Sequence, residues 1–311
     1  MKFQLGSRCR SLVGALALMC GCLWVAPVCG ADSPTIAIVN NQRISENEFE
    51  FLCLSRRVKK DMQAAVRERF VEDLIDRALL KQFLDKGKVD YSREMLDAQV
   101  VRVETVIKDD GKNVNEVLRS LGYNRETLRA ELALPLRWRS YAMTIITDSA
   151  IKSYWEMHRS KFDGTEVRAA QIVKALPAMP SASEVDQAKT LLSSVRQKVM
   201  AKELSFAEAA KQHSESPSGK DGGDLGTFGF RGRMPLEITQ AAFKLKAGEI
   251  SEPFQTPFGM HLLTVTEITP GDLSLEDARP EIFETLSQET QRRLVKELRS
   301  TAKITIERGN K

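Results

Sequence analysis

Between residues 70 and 79 the apolar positions Phe70, Val71, Leu74, Ile75, Ala78 and Leu79 form two adjacent columns at i, i+3, i+4 spacing. That is the period of an amphipathic helix, and Gly87 supplies its stop. Upstream, TIAIVNNQRIS alternates on either side of Asn40-Asn41, which predicts a strand, a tight turn and a return strand. Ser45-Glu46-Asn47-Glu48 then has the form of a capping box, in which the Ser45 hydroxyl takes a free amide and Glu48 reaches back. Helical periodicity resumes over 92–108, 113–120, 124–146 and 148–160, with Gly111 and Gly122 as breaks and Pro135 as a kink candidate. Residues 32–160 thus predict a mainly α-helical domain with little catalytic polarity.

The pattern changes at residue 165. EVRAAQIVKAL is a strand candidate, and Pro177 and Pro180 mark a loop. Ser181 with Glu184 caps a helix over 184–201, and Ser205 with Glu208 caps another that runs to about 212. SESPSGKDGGDLGTFGFRGRM is dense in Gly, Ser and charge, which predicts a long ordered loop with a short strand over 227–229. A helix over 235–244, ended by Gly248, and strands over 251–255 and 261–267 close an α+β module. In the tail, Leu275, Ile282, Leu286, Leu294 and Leu298 share one face of an amphipathic helix, and AKITIER alternates like a final strand.

The first thirty residues belong to neither pattern. Lys2, Arg8 and Arg10 precede an apolar run over 12–28 that ends in the small residues Gly30 and Ala31, the form of a secretory signal peptide over 1–30. A membrane anchor and a lipid-anchored cysteine are the alternatives left open. Export would remove Cys9, Cys20, Cys22 and Cys29, leaving Cys53 without a disulfide partner and expected to pack on a helix. It would also lower the net charge from +4 to near +1, because the segment carries three cations and no acids. A nearly neutral chain gives no case for nucleic acid or for strong binding to an anionic membrane surface. The chain has no H-E-x-x-H, no phosphate-binding G-x-x-x-x-G-K-[ST] and no G-x-S-x-G elbow, and the expected set of cofactors and metals is empty.

Three histidines remain to be placed. His158 on a helix fits packing, and His213 at a helix end fits a cation stabilising the helix dipole. His261 sits in TPFGMHLLTV, where a buried core histidine is the plain reading. Its surroundings add another. Val167 to Val173, FAEAAKQHSESPSGKDGGDLGTF and RGRMPLEITQAAFKLKAGEISEPFQTPFGMHLLTV, taken in order, resemble the parvulin (PpiC-type) peptidyl-prolyl cis/trans isomerases over residues 165–268.

The resemblance implies a four-stranded antiparallel sheet flanked by helices. With the flanks, it implies an exported SurA-like or PrsA-like foldase: a helical chaperone domain over 32–160, a parvulin domain over 165–268, and a C-terminal helix and strand over 272–311 that pack back on the first domain. The activity implied is isomerisation of X–Pro bonds in unfolded or partly folded exported polypeptides, in the periplasm or cell envelope. Met234, Ile238 and Phe243 would line the proline cavity with Leu225 nearby, although Ile238 stands where the family usually has Phe, and Phe243 also suits a plain core position. The polar set would be His261, Thr256, Gln171 and Ser216. Here the sequence departs from the family, which typically has a histidine at the Gln171 position and Cys or Asp at the Ser216 position. Isomerisation transfers no proton obligatorily, so those replacements lower a rate without abolishing it. A parvulin-shaped module that binds chains as a chaperone but does not isomerise them is the other reading. Lys174 alone does not form the basic cluster that would select phosphorylated residues.

Overall fold

The computed structural model describes residues 33–307; the expected signal peptide lies outside them. Strands β1 (Thr35–Val39) and β2 (Gln42–Ser45) form a hairpin. Its turn needs two left-handed residues, and Asn40 and Asn41 supply them with φ of 49° and 76°. Ser45 then starts α1 (Glu46–Ser55): its N–H donates to Glu48 Oε2 at 2.7 Å. Helices α2 (Gln63–Lys86), α3 (Arg93–Asp109), α4 (Val114–Ser120), α5 (Arg125–Ile145) and α6 (Asp148–His158) follow. Two details differ from the sequence pattern. Gly87 caps α2 with a right-handed φ of −77°, and the left-handed turn falls one residue later on Lys88, with φ of 49°. Helix α5 runs through Pro135 without interruption. Cys53 is fully buried on α1, against the α2 stripe of Phe70, Leu74 and Ile75.

Next come β3 (Glu166–Ala175), α7 (Ala182–Met200), α8 (Phe206–His213), β4 (Asp224–Gly229), α9 (Leu236–Ala242), β5 (Phe254–Thr256) and β6 (Gly259–Thr269). The four strands form one antiparallel sheet in the order β4-β3-β6-β5. Alternation sorts side chains to its two faces. Ile172 and Leu262 join Leu192 of α7 and Ala209 of α8 in one core, while Ala169, Leu263 and Val265 join Ile238 of α9 in the other. With both faces covered, burial falls on consecutive positions: Ala169–Ala170 and Ile172–Val173 of β3, and 259–265 of β6. Strand β5 starts three residues later than its sequence pattern implies. Pro253 has no N–H to give the ladder, so pairing upstream is reduced to a bridge at Ile250 and the Ser251 N–H donating to Leu263 O at 2.8 Å. Strand β4 starts three residues earlier than expected, because Asp224 to Gly226 pair with β3 across a register shift at Ala169/Ala170.

The chain then returns. Helix α10 (Leu275–Thr301) is capped by Ser274 and Asp277 and packs along α2, α5 and α6. Trp138 Nε1 donates to Ser287 Oγ at 2.9 Å, and Arg299 pairs with Glu72 at 2.8 Å. Strand β7 (Ile304–Ile306) closes the first sheet in the order β2-β1-β7. The fold is α+β: a helical assembly made from both ends of the chain, and an inserted four-stranded unit.

Candidate active site

Register builds the centre of the site. On β3 and β6, Val173 stands opposite His261 and Gln171 opposite Leu263, so Gln171 is the diagonal neighbour of His261 on the same face. Gln171 Oε1 lies 3.1 Å from His261 Nδ1, and Thr256 Oγ1 lies 2.8 Å from Nε2. A neutral imidazole donates from one nitrogen and accepts at the other. The amide oxygen of Gln171 only accepts, so Nδ1 carries the hydrogen and the Thr256 hydroxyl donates to Nε2. The Phe258 N–H donates in turn to Thr256 Oγ1 at 3.1 Å. The Phe254 ring stacks on the imidazole at 5.6 Å. His261 is 3% exposed, and this burial pulls its pKa below the usual value, keeping the ring neutral.

A loop is pressed onto β3 beside this chain. The Glu215 N–H donates to Val173 O at 2.8 Å, and the Ala175 N–H returns a bond to Glu215 Oε2 at 2.8 Å. Lys174 completes the contact as an ion pair with Glu215, holding that carboxyl below its usual pKa. Ser216 precedes the short turn Pro217–Asp221; its hydroxyl is 2.8 Å from Ser218 Oγ and accepts from Ser214 at 3.3 Å. The turn ends at Gly223, whose carbonyl accepts the Gln171 N–H at 2.9 Å. Only glycine fits there: φ is +84°, and a Cβ would stand 2.2 Å from the Gln171 carbonyl oxygen.

Between these segments lies a cavity of about 260 Å³. Leu225, Met234, Ile238 and Phe258 give it apolar walls, with Gln171, His261 and Ser216 as polar ones. Of the residues expected from the sequence, those six (all but Phe258) share the cavity. Thr256 does not line it and reaches it only through His261. Phe243 is not on the wall either; it packs in the sheet core, edge-on to Phe230 at 5.2 Å. The pattern missed Val173 and Ala175, which period two from Gln171 would have found, and also Glu215 and Phe258.

Both imidazole nitrogens are engaged by Gln171 and Thr256, and the hydrogen bonds of the Ser216 hydroxyl run to Ser214 and Ser218. The hydroxyl that bonds the imidazole, Thr256, is buried and does not line the cavity, so no base-activated nucleophile faces the recess. An apolar recess with fixed dipoles on one side suits a conformational reaction better than a covalent one. Among the described residues no group of His, Cys, Asp or Glu could hold a metal ion, and no helix is long and apolar enough to cross a membrane.

Residues 172–267 match the rotamase family, the PPIC-type PPIase domain, and this part of the chain is a parvulin-type isomerase domain. The wider chain is similar to foldase protein PrsA of Geobacillus sp. (strain WCH70), 28% identical over 239 residues that cover 76% of this chain and 73% of that one. PrsA of Bacillus subtilis (strain 168) is 34% identical over 147 residues, 47% of this chain and 44% of the relative. A putative peptidyl-prolyl cis-trans isomerase SurA of Haemophilus influenzae aligns over 91% of this chain and 93% of its own length at 26% identity. The chain is a protein-folding peptidyl-prolyl cis/trans isomerase, similar along most of its length to foldases named PrsA and SurA.

Proposed function

We propose that the cavity receives the proline ring of an X–Pro bond in an exported, incompletely folded polypeptide. The observation that carries this is the pair His261 and Gln171, hydrogen-bonded to each other and braced from behind by Thr256, on the wall of a mainly apolar recess. An X–Pro bond isomerises over tens to hundreds of seconds, slowly enough to limit folding. Rotation removes amide resonance, and a site accelerates it by holding the twisted amide better than either planar form. Leu225, Met234 and Ile238 grip the ring. Gln171, its amide oxygen on His261, and the Ser216 hydroxyl offer dipoles to the rotating carbonyl and nitrogen. His261 acts as a fixed neutral strut. The helical assembly holds the unfolded client while bonds exchange.

The full chain should shorten the slow phase of an X–Pro peptide in a proline-limited isomerisation assay. Met234→Ala should raise KM, and Gln171→Leu should lower kcat/KM about tenfold or more. The loss follows because the amide dipole facing the substrate is removed and the imidazole is no longer held in place; tenfold corresponds to about 1.4 kcal/mol of transition-state stabilisation. No acceleration by the parent protein would leave the module as a binding unit.

A further inference from the structure

The 230–235 loop joins β4 to α9, and its two ends face different parts of the molecule. At the inner end, Met234 and Pro235 stand on the cavity wall. At the outer end, Arg231 engages α10: Nε is 2.5 Å from Glu281 Oε1, and Nη2 donates to Thr285 Oγ1 at 2.8 Å. Glu281 and Thr285 are one turn apart on the same helix face, a spacing that the planar guanidinium fork spans at once. The same guanidinium lies 5.1 Å from the centre of the Phe162 ring, which is buried with Ile151, Ala278 and Ile282 where α6 meets α10. Phe230 adds a second tie, with the Lys161 ammonium 5.3 Å from its ring. Between the ends, Arg233 donates to the carbonyl of Leu225, another wall residue, at 2.9 Å. The cavity wall and the C-terminal helix are thus joined through three residues of chain.

We infer that Arg231 is a positioning residue: by tying this loop to α10 it sets where Met234 and Pro235 stand, and so couples the helical assembly to the affinity of the proline cavity. This rests on the cavity being the proline site. An exposed ion pair by itself contributes little, but Arg231 combines an ion pair, a hydrogen bond and a ring contact on one rigid group. Helix α10 makes no part of the cavity wall, and the Arg231–Glu281 pair ties it to the loop that does.

The test measures KM and kcat of full-length protein on an X–Pro peptide. Arg231→Ala and Glu281→Ala should each raise KM roughly two- to fivefold with kcat unchanged, the size of an exposed pair and the signature of uniform binding. The double variant should be no worse than Arg231→Ala alone, because once Arg231 is gone Glu281 has no guanidinium left to hold. Exchanging the charges, Arg231→Glu with Glu281→Arg, should bring KM back toward the parent. A parental KM for Glu281→Ala, multiplicative effects in the double variant, or no rescue by the exchange would each overturn the inference. Met234→Ala separates this from the underlying reading: if it too leaves KM unchanged, the cavity is not the proline site, whatever Arg231 does.

Discussion

His261 shows how one side chain is governed by its two partners. Its pKa is depressed by burial, so the unfolded chain takes up the extra proton first as the pH drops. The stability that the neutral, doubly bonded ring contributes is therefore complete above about pH 6.5 and is lost as pH falls through the folded value. Isomerase activity and the denaturation midpoint should decline together on the acid side, and replacing Thr256 should alter that profile. Thr256→Val keeps the shape but leaves Nε2 buried without a donor, which costs about 1–3 kcal/mol. An unfolding titration at neutral pH measures the loss; an unchanged midpoint would mean the hydroxyl is not the donor. At this scale the sequence was partly legible. FGMH and the positions of Gln171, Thr256 and Ser216 mark residues that the fold brings together, whereas Phe243 is apolar enough for wall or core and the fold puts it in the core. Phe258 is 66% exposed yet lines the cavity, and no local pattern distinguishes such a residue from an ordinary loop aromatic.

Among elements, the capping boxes and the two-residue Asn turn were legible because their chemistry is local: Ser181 with Glu184 and Ser205 with Glu208 close at 2.8 and 3.0 Å. Strand ends were less so, because they depend on partners far along the chain. Strand β5 starts only after Pro253 has interrupted the ladder, and β4 gains its first residues from β3. Gly223 belongs to this scale, since its closeness to the Gln171 backbone lets the glycine loop seat β3. Gly223→Ala should cost about 2 kcal/mol or more, from the left-handed φ and from the clash at 2.2 Å. It should also lower kcat/KM by displacing Gln171. The two readouts are a denaturation midpoint and the peptide assay. A variant of parental stability would show that the loop can lift away from β3 freely.

For the whole molecule, the decisive contacts join residues at opposite ends of the chain. The Asn40 N–H donates to Lys303 O at 2.9 Å, and the Lys303 N–H answers to Asn40 Oδ1 at 2.9 Å across 263 positions. The Glu307 N–H donates to Ile36 O at 2.9 Å. Leu298 and Ile304 pack on the α1–α2 core, and Arg299 pairs with Glu72 and Asp76. Alternation in AKITIER implied a strand but names no partner; the family resemblance sent it back to the first domain, and the structure pairs it with β1, Val39 opposite Ile304. Contacts this distant in sequence form late, after the entropy of closing the long intervening loop has been met. The inserted sheet takes its strands from residues 166–269, so its closure does not wait for the C-terminus. Removing residues 303–311 should accordingly act on one part of the molecule. Amide exchange should quicken at Asn40 and along β1, whose outer edge loses its partner, and the helical assembly should unfold at lower denaturant. The N-terminal half of α10 still holds Ile282 against Phe162 and Glu281 against Arg231, so KM and kcat for a short X–Pro peptide should stay at parental values. Hydrogen exchange resolved by residue, run beside the peptide assay on the same truncated chain, separates the outcomes. Loss of isomerase activity together with β1 protection would show that the sheet and the helical assembly fold as one cooperative unit.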